Sequence, residues 1–114
     1  MRVAIVGFGP KGLYALERLL DRATTLDPGS RLMVDLFEPH ASPAAGPNYA
    51  PGQPSYLRMN FAADLVDMWC PSSRSVPQAE RRSFVNWSAA VGESVDGNGY
   101  PPRAQVGRYL SDGF

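Results

Sequence analysis

The spacing of apolar residues changes twice within the first forty positions. Val3, Ala4, Ile5 and Val6 form an unbroken apolar run. Residues 2–7 therefore predict a strand of a parallel sheet covered on both faces. From Pro10 the period becomes helical, with Leu13, Leu16, Leu20 and Ala23 on one face and Gly12 and Leu19 beside them, to about residue 23. Pro10 suits a first helical turn, where its fixed φ helps and its missing N–H costs nothing. Leu26 to Ser30 reads as a turn, and Arg31 to Glu38 as a second strand stopped by Pro39. Strand, helix and strand make one βαβ unit, expected to be right-handed.

Past Pro39 the pattern weakens. Pro43, Gly46, Pro47, Pro51, Gly52 and Pro54 break any helix, so residues 39–56 predict one long ordered loop, usually a functional device at that length. Leu57, Met59 and Phe61 alternate with polar neighbours, as in a short extended segment. A second helix is expected from near Val76 and Pro77 through Phe84, Trp87, Ser88 and Val91, ending at Gly92. Asp96 to Gly99 is a turn, and Val106 to Leu110 opens another helix. Trp69, Phe84, Trp87 and Tyr109 are expected in the core.

Where the first strand meets the first helix, Gly7, Gly9 and Gly12 are spaced G-x-G-x-x-G. This context points to a dinucleotide site and is silent about the reaction. Gly7 makes the turn, Gly9 lets backbone approach a pyrophosphate, and Gly12 lets the helix pack against the sheet. Helix-terminal N–H groups supply anion affinity, with Lys11 as a possible point charge or a plain exposed lysine. Glu38 ends the second strand, where a carboxylate accepts hydrogen bonds from both hydroxyls of an adenosine ribose. It lies farther from Gly12 than the usual spacing of about 20 residues, and the turn at 26–30 absorbs the difference. A carboxylate there repels a 2′-phosphate, which favours FAD or NAD over NADP. Asp35 is the competing acid, but it falls inside the strand pattern.

Composition narrows the rest. The chain has 114 residues, room for one domain, and 11 lysines and arginines balance 11 acids. No long-range field for nucleic acid or anionic membrane is indicated. Cys70 is the only cysteine, which rules out an internal disulfide and fits a reducing, cytoplasmic setting; it is expected as a small buried hydrophobe. No apolar stretch approaches the roughly 20 residues of a membrane helix. His40 follows the ribose site directly. Arg58, Asn60 and Arg103 stand among apolar neighbours, either touching a cofactor or fixing loops. No metal-ligand cluster, Ser–His pair or P-loop is present. Two parallel strands are too few for a doubly wound sheet, so either the chain is the N-terminal piece of a larger protein, the favoured expectation, or the remaining sheet comes from strands too weak to read.

Residues 3–12 and Phe37-Glu38-Pro39 resemble the opening of FAD/NAD(P)-binding oxidoreductases with two dinucleotide-binding domains. Gly46-Pro47-Asn48-Tyr49, Leu57-Arg58-Met59-Asn60, Ser83 to Trp87, Tyr100 to Ala104 and Gly107 to Leu110 resemble, in the same order, a bacterial FAD-NAD(P)-binding family distantly related to flavin N-hydroxylating monooxygenases. The resemblance implies an α/β, Rossmann-like βαβ fold, incomplete in this chain. Residues 1–114 would be the N-terminal portion of one FAD/NAD(P)-binding domain, with a βαβ core at 1–39 and a loop-rich, helical extension at 40–114. It also implies FAD at Gly7, Gly9, Pro10, Lys11, Gly12 and Glu38, with Met59 and Asn60 toward the flavin. An NAD(P)H site would lie in later sequence.

Three functions are therefore in view: a flavin-dependent oxidoreductase such as a monooxygenase, an NAD-binding dehydrogenase without flavin, and a non-catalytic nucleotide-binding module. An S-adenosylmethionine methyltransferase ranks below them, because Val6 stands where such enzymes usually carry an acid. A small-molecule substrate is expected, but its identity and the catalytic residues are not legible.

Overall fold

A computed structural model describes residues 1–114. Strand β1 (Arg2–Val6) leads through the glycine turn into helix α1 (Pro10–Ala23), and the chain returns as strand β2 (Met33–Phe37). The strands pair in parallel, Val3 opposite Val34 and Ile5 opposite Leu36. The ladder continues one bond further, from Gly7 N–H to the Phe37 carbonyl at 2.8 Å. This is the βαβ unit of a Rossmann-like α/β fold, with two strands of parallel sheet. The expected turns at 26–30 and 96–99 both form, the latter closed by Gly99 N–H on the Asp96 carbonyl at 2.8 Å.

The sheet departs from expectation in one respect. Only the Val3 and Ile5 face is covered, while Val6 is 81% exposed and Met33 and Phe37 are each 56% exposed. The continuous apolar run predicted burial on both faces, but no element packs on the side of Ala4, Val6, Met33 and Phe37.

Helix α1 buries a different stripe from the one its leucines mark. Leu13 is buried and Leu16 partly so, yet Leu20 is exposed while Glu17 and Asp21 are buried. The 70s loop crosses that face. Its Arg74 N–H donates to Asp21 Oδ1 at 2.8 Å, and Arg18 and Arg74 pair with the same carboxylate at 3.4 and 3.6 Å. These contacts satisfy the Asp21 charge, which allows an acid to stand where a leucine is expected.

The second predicted helix is cut short. Residues 78–80 form a single 3-10 turn, Arg81 to Ser83 are extended, and helix α2 spans Phe84–Ala90. Ser83 restarts it as an N-cap, its Oγ accepting the Asn86 N–H at 3.3 Å. The helix ends at Ala90, two residues before the expected stop, with Gly92 at φ +77° just beyond its cap. Helix α3 (Arg103–Asp112) begins three residues earlier than the apolar pattern indicates. There the extended segment meets it: Met59 N–H donates to the Pro101 carbonyl and Arg103 N–H to that of Leu57. An isolated antiparallel bridge joins Arg58 and Pro102.

Between α2, α3 and the loops lies the core. Phe84, Trp87 and Tyr109 pack with ring centroids 5.5–6.1 Å apart. Phe8, Met59, Met68, Val106 and Leu110 join them, with Trp69 against the edge. Tyr109 is fully buried, its hydroxyl bonded to the Arg82 carbonyl, to Asp67 and to the Met68 N–H. Burial, more than any other influence, pushes its phenol pKa upward.

Candidate functional site

The glycine turn opens a cleft of about 520 Å³, within the range of small-molecule sites. Gly7, Gly9, Pro10, Lys11 and Gly12 form one wall, and Glu38, Pro39 and His40 line the strand end. The opposite wall is the 3-10 turn Pro47–Tyr49 together with Gly46. A second hollow, about 230 Å³ beside Met68 and Trp87, has neither a glycine turn nor a long helix N-terminus.

Each glycine does something measurable here. Gly7 has φ +84°, the left-handed region that costs other residues roughly 1–2 kcal/mol. At Gly12 a Cβ would stand 2.6 Å from the Gly7 carbonyl oxygen and 3.2 Å from the Phe8 ring, so only glycine lets α1 fold back on the turn. At Gly9 a Cβ would meet the Gly46 Cα at 3.7 Å, an ordinary contact. Its absence keeps clear the gap between the two walls.

Helix α1 starts at Gly9 with no side-chain cap and no acid in its first turn. Pro10 has no N–H to offer, and the next amides, of Lys11 and Gly12, open the helix at this cleft. An anion seated there completes the cap and meets the positive end of the helix dipole. Lys11 is exposed at the rim.

Glu38 closes the other end. Its Oε1 accepts the His40 backbone N–H at 2.9 Å, which fixes the carboxylate and leaves Oε2 for a ligand. Its rival Asp35 is engaged elsewhere, bound by the Arg2 guanidinium at 2.6 and 3.2 Å on the outer sheet face. That bond raises the Arg2 pKa.

The structure thus brings together Gly7, Gly9, Pro10, Lys11, Gly12 and Glu38. It sets Met59 and Asn60 apart: Met59 is in the core and Asn60 on the surface, neither lining the cleft. Arg58 and Arg103 fix loops, donating to the Tyr100 and Arg58 carbonyls. Cys70 is half-buried at the surface and not in the core, and the nearby Ser72 hydroxyl lowers its thiol pKa. No group of three or more His, Cys, Asp and Glu is placed to hold a metal ion. No helix is long and apolar enough to cross a membrane.

The docking of the loop after Pro39 onto the glycine turn is not announced by its pattern of breakers. Gly46, with φ +65°, lies so close to the turn that a Cβ on it would sit 3.3 Å from the Gly9 Cα. The signal available was a Gly-Pro pair in a breaker-rich loop.

Residues 4–114 match the profile of a family described as FAD-NAD(P)-binding. A nitrosuccinic acid synthase from Aspergillus oryzae is 40% identical over 111 residues, covering 95% of this chain and 17% of that protein. An L-aspartate N-monooxygenase (nitrosuccinate-forming) from Streptomyces davaonensis is 27% identical over 130 residues, covering 98% of this chain and 20% of its own length. One from Streptomyces cremeus is 28% identical over 136 residues, covering the whole chain and 20% of its own length. The chain therefore spans no more than a fifth of the length of these curated relatives.

Proposed function

Because the chain belongs to the FAD-NAD(P)-binding family, we propose that its cleft holds the ADP half of FAD in a flavin-dependent N-monooxygenase that oxidises the amino group of L-aspartate or a close analogue. The observation that carries this is the uncapped N-terminus of α1 facing, across one cleft, the fixed carboxylate of Glu38. In this reading the first-turn amides receive the pyrophosphate and Gly9 admits it. Glu38 Oε2 accepts from the adenosine ribose and disfavours a 2′-phosphate. Asn60 is assigned to the flavin end by resemblance, with Met59 packing beneath it.

Flavin supplies the redox chemistry, and NAD(P)H is assigned as its electron donor. The residues described here bind and orient. The substrate class comes from the relatives' names, each of which specifies nitrosuccinate or its acid as product. The full-length protein to which these residues belong, loaded with FAD and given NADPH and L-aspartate, is expected to consume NADPH faster than without the amino acid and to yield an N-oxidised product. NADPH consumption that ignores the amino acid would contradict the N-monooxygenase assignment.

A further inference from the structure

The wall facing the glycine turn is held from behind. Ala44 N–H donates to the Phe8 carbonyl at 2.7 Å, which ties residues 43–46 to the turn. Ser111 Oγ, on α3, donates to the Pro43 carbonyl at 2.7 Å. Gly107, in the middle of α3, faces the Tyr49 backbone. A Cβ at Gly107 would overlap the Tyr49 carbonyl oxygen and stand 2.8 Å from its carbon. Residues 43–49 are thus clamped between the glycine turn on one side and α3 on the other.

A mid-helix glycine costs about 1 kcal/mol against alanine, so the buried Gly107 needs a local reason. The Tyr49 contact supplies it. We infer that Gly107 and Ser111 are positioning residues for the cofactor cleft: α3 sets the width of the cleft through the 43–49 segment while touching no cofactor itself. The inference rests on the FAD reading of the cleft. Admitting a side chain at Gly107 moves the turn or the helix by on the order of 1 Å, enough to cost a preorganised site heavily.

Three variants of the full chain test this: Gly107→Ala, Ser111→Ala and Gln105→Ala. Gln105 serves as the control, because its Nε2 donates to the Glu93 carbonyl at 2.8 Å and not to the 43–49 segment. FAD affinity and hydrogen exchange of the Ala44 amide are read on each. Ser111→Ala loses one hydrogen bond, so FAD affinity is expected to fall, and Ala44 exchange to quicken, by about three- to tenfold. Gly107→Ala is expected to exceed tenfold in both. Gln105→Ala is expected to lower the melting temperature with both readouts within about twofold of the parent.

Ser111→Ala and Gly107→Ala leaving both readouts within that range would overturn the inference. So would Gln105→Ala shifting them as far as Ser111→Ala, since the loss would then follow general stability. If Gly107→Ala does not fold, the contrast between Ser111 and Gln105 decides. If the parent binds no FAD, the cofactor reading falls, and Ala44 exchange alone decides whether α3 clamps the wall.

Discussion

Gly9 and Gly12 look interchangeable in a glycine fingerprint, and the structure separates them. Gly12 has no room for a methyl group, with backbone 2.6 Å away, whereas Gly9 has room in the protein and, in the proposed reading, lies where the pyrophosphate approaches. Gly12→Ala should therefore destabilise the fold by about 1–3 kcal/mol in thermal or denaturant unfolding. Gly9→Ala should melt close to the parent and lose FAD affinity, a split that a merely structural turn would not produce. Glu17 is buried on the face of α1 that packs against the protein. Both its carboxylate oxygens are buried without a hydrogen-bond partner, and its nearest cation, Arg18 Nη1, is 3.9 Å away and equally unpartnered. Leucine at this position removes an uncompensated polar burial, so Glu17→Leu should raise stability by about 1–3 kcal/mol. A loss of similar size would mean that the carboxylate has a partner in solution.

At the scale of elements, β1, β2, α1 and their turns were legible because period and breakers agree there. The errors came where a polar contact from elsewhere in the chain overrode the pattern. Asp21 is such a case. Nothing in the helix announces that the Arg74 amide will reach it across 53 positions. That amide bond, with the Arg18 and Arg74 charges, outweighs burial and holds the Asp21 pKa below the ordinary value. The folded state therefore prefers ionised Asp21, and its stabilisation is complete above an unfolded pKa of about 3.9. It is lost as pH falls through the lower, folded value. The stability gap between parent and Asp21→Asn, measured by denaturant titration, should be widest near neutral pH and close as pH falls from about 5 toward 2. A gap independent of pH would remove the charge from the explanation. Helix α2 differs for a local reason: Pro77 looks like a start, but only a single 3-10 turn forms at 78–80, and the chain is extended from Arg81 to Ser83, whose hydroxyl supplies the cap.

The molecule as a whole is more open than its length requires. Its radius of gyration is 15.1 Å, against about 13 Å for a compact chain of this size. Only 23 of 114 residues are buried, and one face of the sheet is bare. Sequence reasoning found the half of the candidate site that is local, the glycine turn and Glu38. The resemblance marks Gly46 to Tyr49 and Gly107 as motifs, but their meeting, and the backing by Ser111, was not legible. Those residues meet across about sixty positions of irregular chain, where no periodicity reports proximity. The central claim is that this cleft binds FAD, with Glu38 on the adenosine ribose. Equilibrium titration of the apo full chain with FAD, for the parent and for Glu38→Ala, tests it most directly. The account predicts that the parent binds and that the variant, melting like the parent, binds at least about tenfold more weakly, the worth of a charge-assisted hydrogen bond. A parent that takes up no FAD, or a Glu38→Ala variant that binds it equally well, would contradict it.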